Sequence, residues 1–131
     1  MSPATTFPGS FLVHGEVIGP NKRLMVNLAC RRRGRNTQAI NVIFLINTGS
    51  PASYLLAKAM EALIGNTESH LPQQLPVMIQ SLKNIECHIS PCDKHFANAN
   101  VLGANFLVKH GLTLKANYTS DIFTLMVEGN E

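Results

Sequence analysis

Apolar and polar positions alternate with a period of two over much of this chain. Between residues 24 and 30, Leu24, Val26, Leu28 and Cys30 fall on one side, with polar or small neighbours between them apart from Met25; that spacing predicts a half-buried strand. Residues 11–17 predict a shorter strand, closed by the turn sequence Gly19-Pro20-Asn21-Lys22. Residues 40–46 are almost continuously apolar, the mark of a strand buried on both faces. From Ser53 the period lengthens: Leu55, Leu56, Ala59, Met60 and Leu63 suit a helix over 54–63, with Gly65 as its C-cap. Residues 66–76 are polar and contain proline, which predicts a loop or short hairpin. Strands are expected over 77–82 and 85–89, joined at Lys83-Asn84, and residues 91–99 read as loop. Val101-Leu102-Gly103 leads into a short helix over 104–110, stopped by Gly111. Residues 112–114 and 122–127 then form a closing hairpin across Asn117-Tyr118-Thr119, a sequence read as a turn despite its formal match to a glycosylation sequon. Many short strands with one or two short helices define an all-β fold, a small closed β-barrel.

Composition narrows the class. The chain has 131 residues, of which 45% are apolar; that is one domain with enough material for a core. Residues 1–10, with Pro3, Pro8 and Gly9 among small polar neighbours, read as an extended arm, and residues 11–128 as the single domain. No apolar run approaches the ~18 residues of a membrane helix, and no basic region followed by an apolar one opens the chain. Three cysteines cannot make a closed disulfide framework. The expectation is an intracellular, cytoplasmic protein that is not secreted and does not enter membranes. A formal charge of +3 does not by itself argue for nucleic acid.

The candidate chemistry sits where the apolar run ends, at Asn47-Thr48-Gly49-Ser50, followed by Ser53 and Leu55-Leu56. A second landmark is Asn100-Val101-Leu102-Gly103-Ala104, followed by His110-Gly111. Hairpin, buried strand, turn, Val-Leu-Gly segment, short helix and last hairpin occur in that order over residues 11–128. The chain thereby resembles the retropepsin-like aspartic proteases, in which the turn reads Asp-Thr-Gly-Ser/Ala and the aspartate is catalytic. Here that position is Asn47.

The resemblance implies a homodimer that hydrolyses polypeptides without metal or other cofactor, because a chain this short contributes one such turn and each subunit supplies one carboxylate. Water is activated between two carboxylates sharing one proton, since like charges so close cannot both ionise. An aspartate at 47 would be the general acid/base; Thr48 would brace the dimer, Gly49 shape the turn and Ser50 contact the carboxyl. Ser53, Leu102 and Gly103 would support the site from behind, the glycine letting two backbones approach. With Asn47 in place the chain is expected to be inactive: an amide hydrogen-bonds like a carboxyl but is not a base. Two explanations for Asn47 stand side by side, a deliberate inactivating substitution of Asp and a natural pseudoprotease that binds peptides or dimerises. The family also covers its cleft with a glycine-tipped hairpin flap; the candidate here, residues 66–78, has no glycine.

Other chemistry is weaker on its residues. Cys87, His88, Cys92, Asp93 and His95 suggest zinc by type, but the alternation Ile85-Cys87-Ile89 sends Cys87 into the core and no two-residue Cys spacing exists. No metal site is assigned. Arg31, Arg32, Arg33 and Arg35 crowd a predicted hairpin tip without interleaved aromatics; a small β-barrel gripping nucleic acid there is the alternative from another class, and a solvated loop is the simpler reading. Neither Ser50 nor Ser53 lies in a Gly-x-Ser-x-Gly elbow. His110 suits a helix C-terminus. Met60, Met78 and Met126 read as packing.

Overall fold

A computed structural model describes residues 2–34, 38–65, 70–90 and 98–127. In chain order the elements are β1 (Val13–Ile18), β2 (Arg23–Arg32), β3 (Ile40–Ile46), β4 (Ser53–Leu55), α1 (Ala57–Ile64), β5 (Gln74–Ile79), β6 (Asn84–Ile89), β7 (Asn100–Leu102), α2 (Ala104–His110), β8 (Leu112–Asn117) and β9 (Ile122–Val127). The strand order β3-β7-β4-β6-β5-β2 closes on itself because β2 also pairs with β3, giving a six-stranded barrel. One edge of β2 takes β3 from Leu24 to Cys30. Its other edge is divided: Arg23, Leu24 and Met25 pair with β1, and Cys30, Arg31 and Arg32 with β5. That division lets β1, β9 and β8 leave the barrel as a three-stranded extension. The fold is all-β with two short helices, as the periodicity implies.

The alternation in β2 does what its spacing demands. Val26, Leu28 and Cys30 turn inward and meet Phe44, Met60, Ile79, Leu102 and Phe106 in one continuous core. In β3, Phe44 and Ile46 face that core while Leu45, on the opposite face, is also covered; Ile43, on Leu45's side, is 60% exposed. The expected burial on both faces therefore holds only for the last three residues, those that run beside β7. Parallel pairing of β3 with β7 brings Ile46 level with Leu102, and so fixes the Asn47 turn next to Gly103.

Three differences from the expected elements have physical causes. Tyr54 and Leu55 belong to a strand: Ser53 and Leu55 point inward two apart, and β4 pairs in parallel with Cys87, His88 and Ile89. The helix starts only after Leu56, whose N–H donates to Asn100 Oδ1 at 2.8 Å, and ends at Gly65 in the left-handed region (φ 82°). Residues 74–76 are barrel wall, so much of the candidate flap is β5, paired with β6; residues 66–69 lie outside the described residues. Arg31 and Arg32 are in β2 rather than at a hairpin tip. The Arg31 guanidinium lies 4.8 Å from the Phe7 ring centroid, a packing role; Arg35 lies outside the described residues. The arm itself runs against the barrel: Ala4 N–H donates to Ala39 O at 2.8 Å, Asn41 N–H to Ser2 O at 2.9 Å, and Gly9 N–H to Gln80 O at 2.6 Å.

His110 is the last residue of α2, at the helix C-terminus as expected, and it is buried there, with Phe11 and Phe106 against its ring. Its Nδ1 lies 3.1 Å from Phe106 O, which can only accept, so Nδ1 carries the proton and Nε2 accepts from Ser81 Oγ at 2.9 Å. Burial holds its pKa below the ordinary histidine value, outweighing the Phe106 and Ile79 carbonyls, and Lys83 and Lys109 push the same way as burial. The unfolded chain then takes up the proton first. Stability attributable to His110 is complete above an unfolded pKa of about 6.5 and is lost as pH falls through the folded value. Urea denaturation at several pH values should show this decline, and His110→Gln should flatten it.

Candidate active site

The Asn47 turn is held by its own side chain. Asn47 Oδ1 accepts the Gly49 N–H at 3.0 Å, and Asn47 O accepts the Ser50 N–H at 3.1 Å; this is the local bonding that favours Asn or Asp at the head of a turn. Gly49 is not in the left-handed region. A Cβ there would meet Asn47 Oδ1 at 3.4 Å, an ordinary contact, so Gly49 serves the turn through its N–H. The Ser50 hydroxyl donates to Ala52 O at 2.8 Å, so its proton stays in the turn and Ser50 supports position 47 through its backbone. Thr48 is exposed and Asn47 half-buried.

Behind the turn lies a second layer. Asn47 N–H donates to Leu102 O at 2.9 Å and Ala104 N–H to Ser50 O at 2.6 Å. Between these bonds sits Gly103, where an added Cβ would collide with the carbonyl oxygens of Ser50 and Ala52. Only glycine fits, for reasons of contact and not of dihedral angle. Ser53, fully buried, accepts the Gly103 N–H at 3.0 Å and donates to Asn105 Oδ1 at 2.6 Å. Asn105 passes the network on, donating to Glu86 O at 3.2 Å and accepting the Phe106 N–H at 2.9 Å. Asn47, Thr48, Gly49, Ser50, Ser53, Leu102 and Gly103 are thus gathered in one place by β3, β4 and β7.

Asn100 and Asn105 are the residues that periodicity did not reveal. Asn100 is buried, accepts the Leu56 N–H, and donates to Ile43 O at 3.2 Å, tying three elements together. A polar side chain on each side of the apolar Val-Leu-Gly segment was the available signal, because a buried amide must find partners.

In front of Asn47 and Thr48 is an open cavity of about 400 Å³. Its walls are the β1–β2 turn with Lys22, the ends of β2 and β3 with Arg23, Leu24 and Leu45, and Tyr118 from the β8–β9 turn. Lys22 Nζ lies 3.6 Å from Asp121 Oδ1, joining the two turns that frame the opening. Cys87 lies elsewhere, inside the barrel, with its thiol pushed up to about 12 by burial; Cys92, Asp93 and His95 lie outside the described residues.

No family model matches the chain, and no curated protein matches it by sequence. Among solved structures, a retropepsin-like aspartic protease from Rickettsia conorii superposes over 89% of this chain and 90% of its own, with a TM-score of 0.55 and 16% identity. That likeness is one of fold: the chain is built as a retropepsin-like barrel.

The buried hydroxyl of Ser53 gives the site a direct test. Ser53→Ala leaves the Gly103 N–H without its partner and takes from Asn105 Oδ1 one of its two donors, the Phe106 N–H remaining, at a cost of about 1–3 kcal/mol. The measurement is the urea midpoint at unchanged m. Ser53→Cys, which keeps a weak donor in a similar volume, should lie between the wild type and alanine.

Proposed function

We propose that this domain has the framework of an aspartic endopeptidase that acts on polypeptides as a homodimer, with position 47 of each subunit facing across a two-fold axis, and that the amide of Asn47 leaves it without hydrolytic activity. The observation that carries the reading is the position of Asn47: at the end of a buried strand, in a turn braced by Gly103, facing a cavity of peptide-accepting size, within a retropepsin-like barrel. The fold gives the framework, and the residue at 47 decides the chemistry.

The mechanism follows from what each group can do with a proton. An Asp at 47 would keep the acceptor that Gly49 N–H requires and leave its second oxygen to face the partner subunit's carboxyl. With one proton shared between the two carboxyls, the ionised one would take a proton from the attacking water and the pair would return a proton to the leaving amine. Asn47 keeps the first function, since Oδ1 holds the same bond at 3.0 Å. It cannot perform the second, because an amide is neither a base that takes a proton from water nor an acid that gives one to the leaving amine at working pH. The exposure of Thr48 supports the reading that it contacts the partner subunit. As written, the chain holds peptides without cutting them.

Asn47→Asp should introduce cleavage of a peptide library at acidic to neutral pH, blocked by a statine-type transition-state mimic, with none from the unaltered chain. Cleavage by neither form, with both folded and dimeric by sedimentation, would favour a framework used only for binding. A folded monomer would overturn the shared-site reading.

A further inference from the structure

The arm is bound to the barrel much as an extended peptide would be. Strand β7 pairs only with Phe44, Leu45 and Ile46, so the same edge of β3 continues past it toward Ile40. Cys30 takes the other edge of Ile40, and Pro3 pairs with Ile40 on the remaining one. There Ala4 N–H donates to Ala39 O, and Asn41 N–H to Ser2 O. Side chains of the barrel add further bonds. Gln38 Nε2 donates to Ala4 O at 3.0 Å, Asn41 Nδ2 to Pro3 O at 3.2 Å, and Gln80 Nε2 to Ser10 O at 2.9 Å. All of these partners are main-chain atoms of the arm, which any extended segment could offer. Three side-chain positions are selective. Ala4 is buried with Ala29 and Ala39, and Phe7 packs on that cluster with its ring centroid 4.8 Å from the Arg31 guanidinium. A Cβ on Gly9 would strike the Gln80 side-chain amide, which Ser10 O holds in place.

We propose that this strip is a peptide-docking site, apart from the Asn47 cavity, for an extended segment of a partner protein. The segment carries a small residue, an aromatic residue three positions on and a glycine two beyond that, and the arm is the resident it displaces. The division of labour is that of strand addition to a sheet edge: main-chain bonds hold the segment, and pockets for particular side chains select it. Displacement costs little because little depends on the arm. Ala4, Ala29, Ala39 and Phe7 form a cluster separate from the main core, and the six strands of the barrel close without the arm. A chain terminus held by so small a cluster opens readily, which bares the edge of β3 to another strand. Asn41 and Asn47 lie at opposite ends of β3, about 20 Å apart at ~3.3 Å per residue. The strip is therefore a separate site, and the inference does not rest on the reading of the Asn47 turn.

The test uses the full chain, 15N-labelled, with the amide signals of Ala39, Asn41 and Gln80 as reporters. The probe is a synthetic peptide of residues 2–10, capped at both ends. Beside it stand a scrambled peptide of the same composition and peptides carrying Phe7→Ala or Gly9→Ala. Each is titrated onto the unaltered chain and onto full-length chains with Phe7→Ala or Gly9→Ala, whose unchanged β4, β6 and β7 signals show that the barrel is folded. The expected result is that the probe shifts all three amides and binds the altered chains about tenfold or more tighter than the unaltered one, because a resident arm lowers apparent affinity by the fraction of time it covers the strip. Either alanine in the peptide should weaken it about tenfold or more, and scrambling should weaken it further. Failure of the probe to shift these amides in both altered chains at millimolar concentration would overturn the proposal. Equal affinity for altered and unaltered chains would overturn it as well, since arm and peptide would then not share the strip, and so would equal binding of the scrambled peptide. Shifts confined to Thr48 and Gly49 would place the peptide in the Asn47 cavity and sink the strip as a site.

Discussion

The contact on which the site depends is the approach of Gly103 to the carbonyl oxygens of Ser50 and Ala52. Two chain segments, more than fifty residues apart in sequence, meet there at a separation that excludes even a methyl group. Bonds on either side hold them: Asn47 N–H to Leu102 O at 2.9 Å, and Ala104 N–H to Ser50 O at 2.6 Å. A buried glycine weakens a strand through entropy and lost packing. Here the loss is offset because backbone groups that would otherwise be buried without partners are satisfied across the gap. Ser53 and Asn105 complete the seam, so that a polar turn can end a hydrophobic strand without exposing the core.

Helix α2 connects this seam to the rest of the barrel. It begins at Gly103 and ends at His110, whose two ring nitrogens join Phe106 O and Ser81 Oγ. Phe11, next to the arm, packs on the same ring. Phe11, the β5–β6 turn and the helix that braces the Asn47 turn therefore share one buried imidazole, whose neutral form has both nitrogens satisfied. Protonation would make both nitrogens donors and bury a cation near Lys83 and Lys109. The geometry of the Asn47 turn is thus linked to a group that lies on the far side of α2.

How much of this could be read from the sequence depends on the range of the interaction. The β2 alternation, β3, α2 and the glycine stops at Gly65 and Gly111 follow from local period and turn chemistry, and residues 40–46 and 104–110 have the expected bounds. The landmarks around Asn47 and Gly103 are local too, and their order suggested the barrel that the solved protease shares. What local pattern could not supply was set by partners distant in sequence. Tyr54 and Leu55 are strand because β6 and β7 flank them. Gln74 and Leu75 are strand because His88 and Cys87 pair with them. Arg31 and Arg32 have a charged, loop-like composition, yet β5 extends the sheet through them. His110 has the side chain of a surface helix terminus, and only the folded chain places Phe11 and Ser81 around it.

The fold and the chemistry make different demands on position 47. For the fold, the residue must offer one oxygen to Gly49 N–H, and its backbone must bond to Leu102 and Ser50. Aspartate and asparagine meet that demand equally, because they differ only in the atom that points away from the turn. For the chemistry, that atom decides everything: an oxygen can share and surrender a proton, whereas an NH2 group can only donate. The barrel, the Gly103 seam and the serine relay can therefore persist unchanged through the exchange. A likeness of fold at 16% identity speaks to the first demand and leaves the second to the side chain.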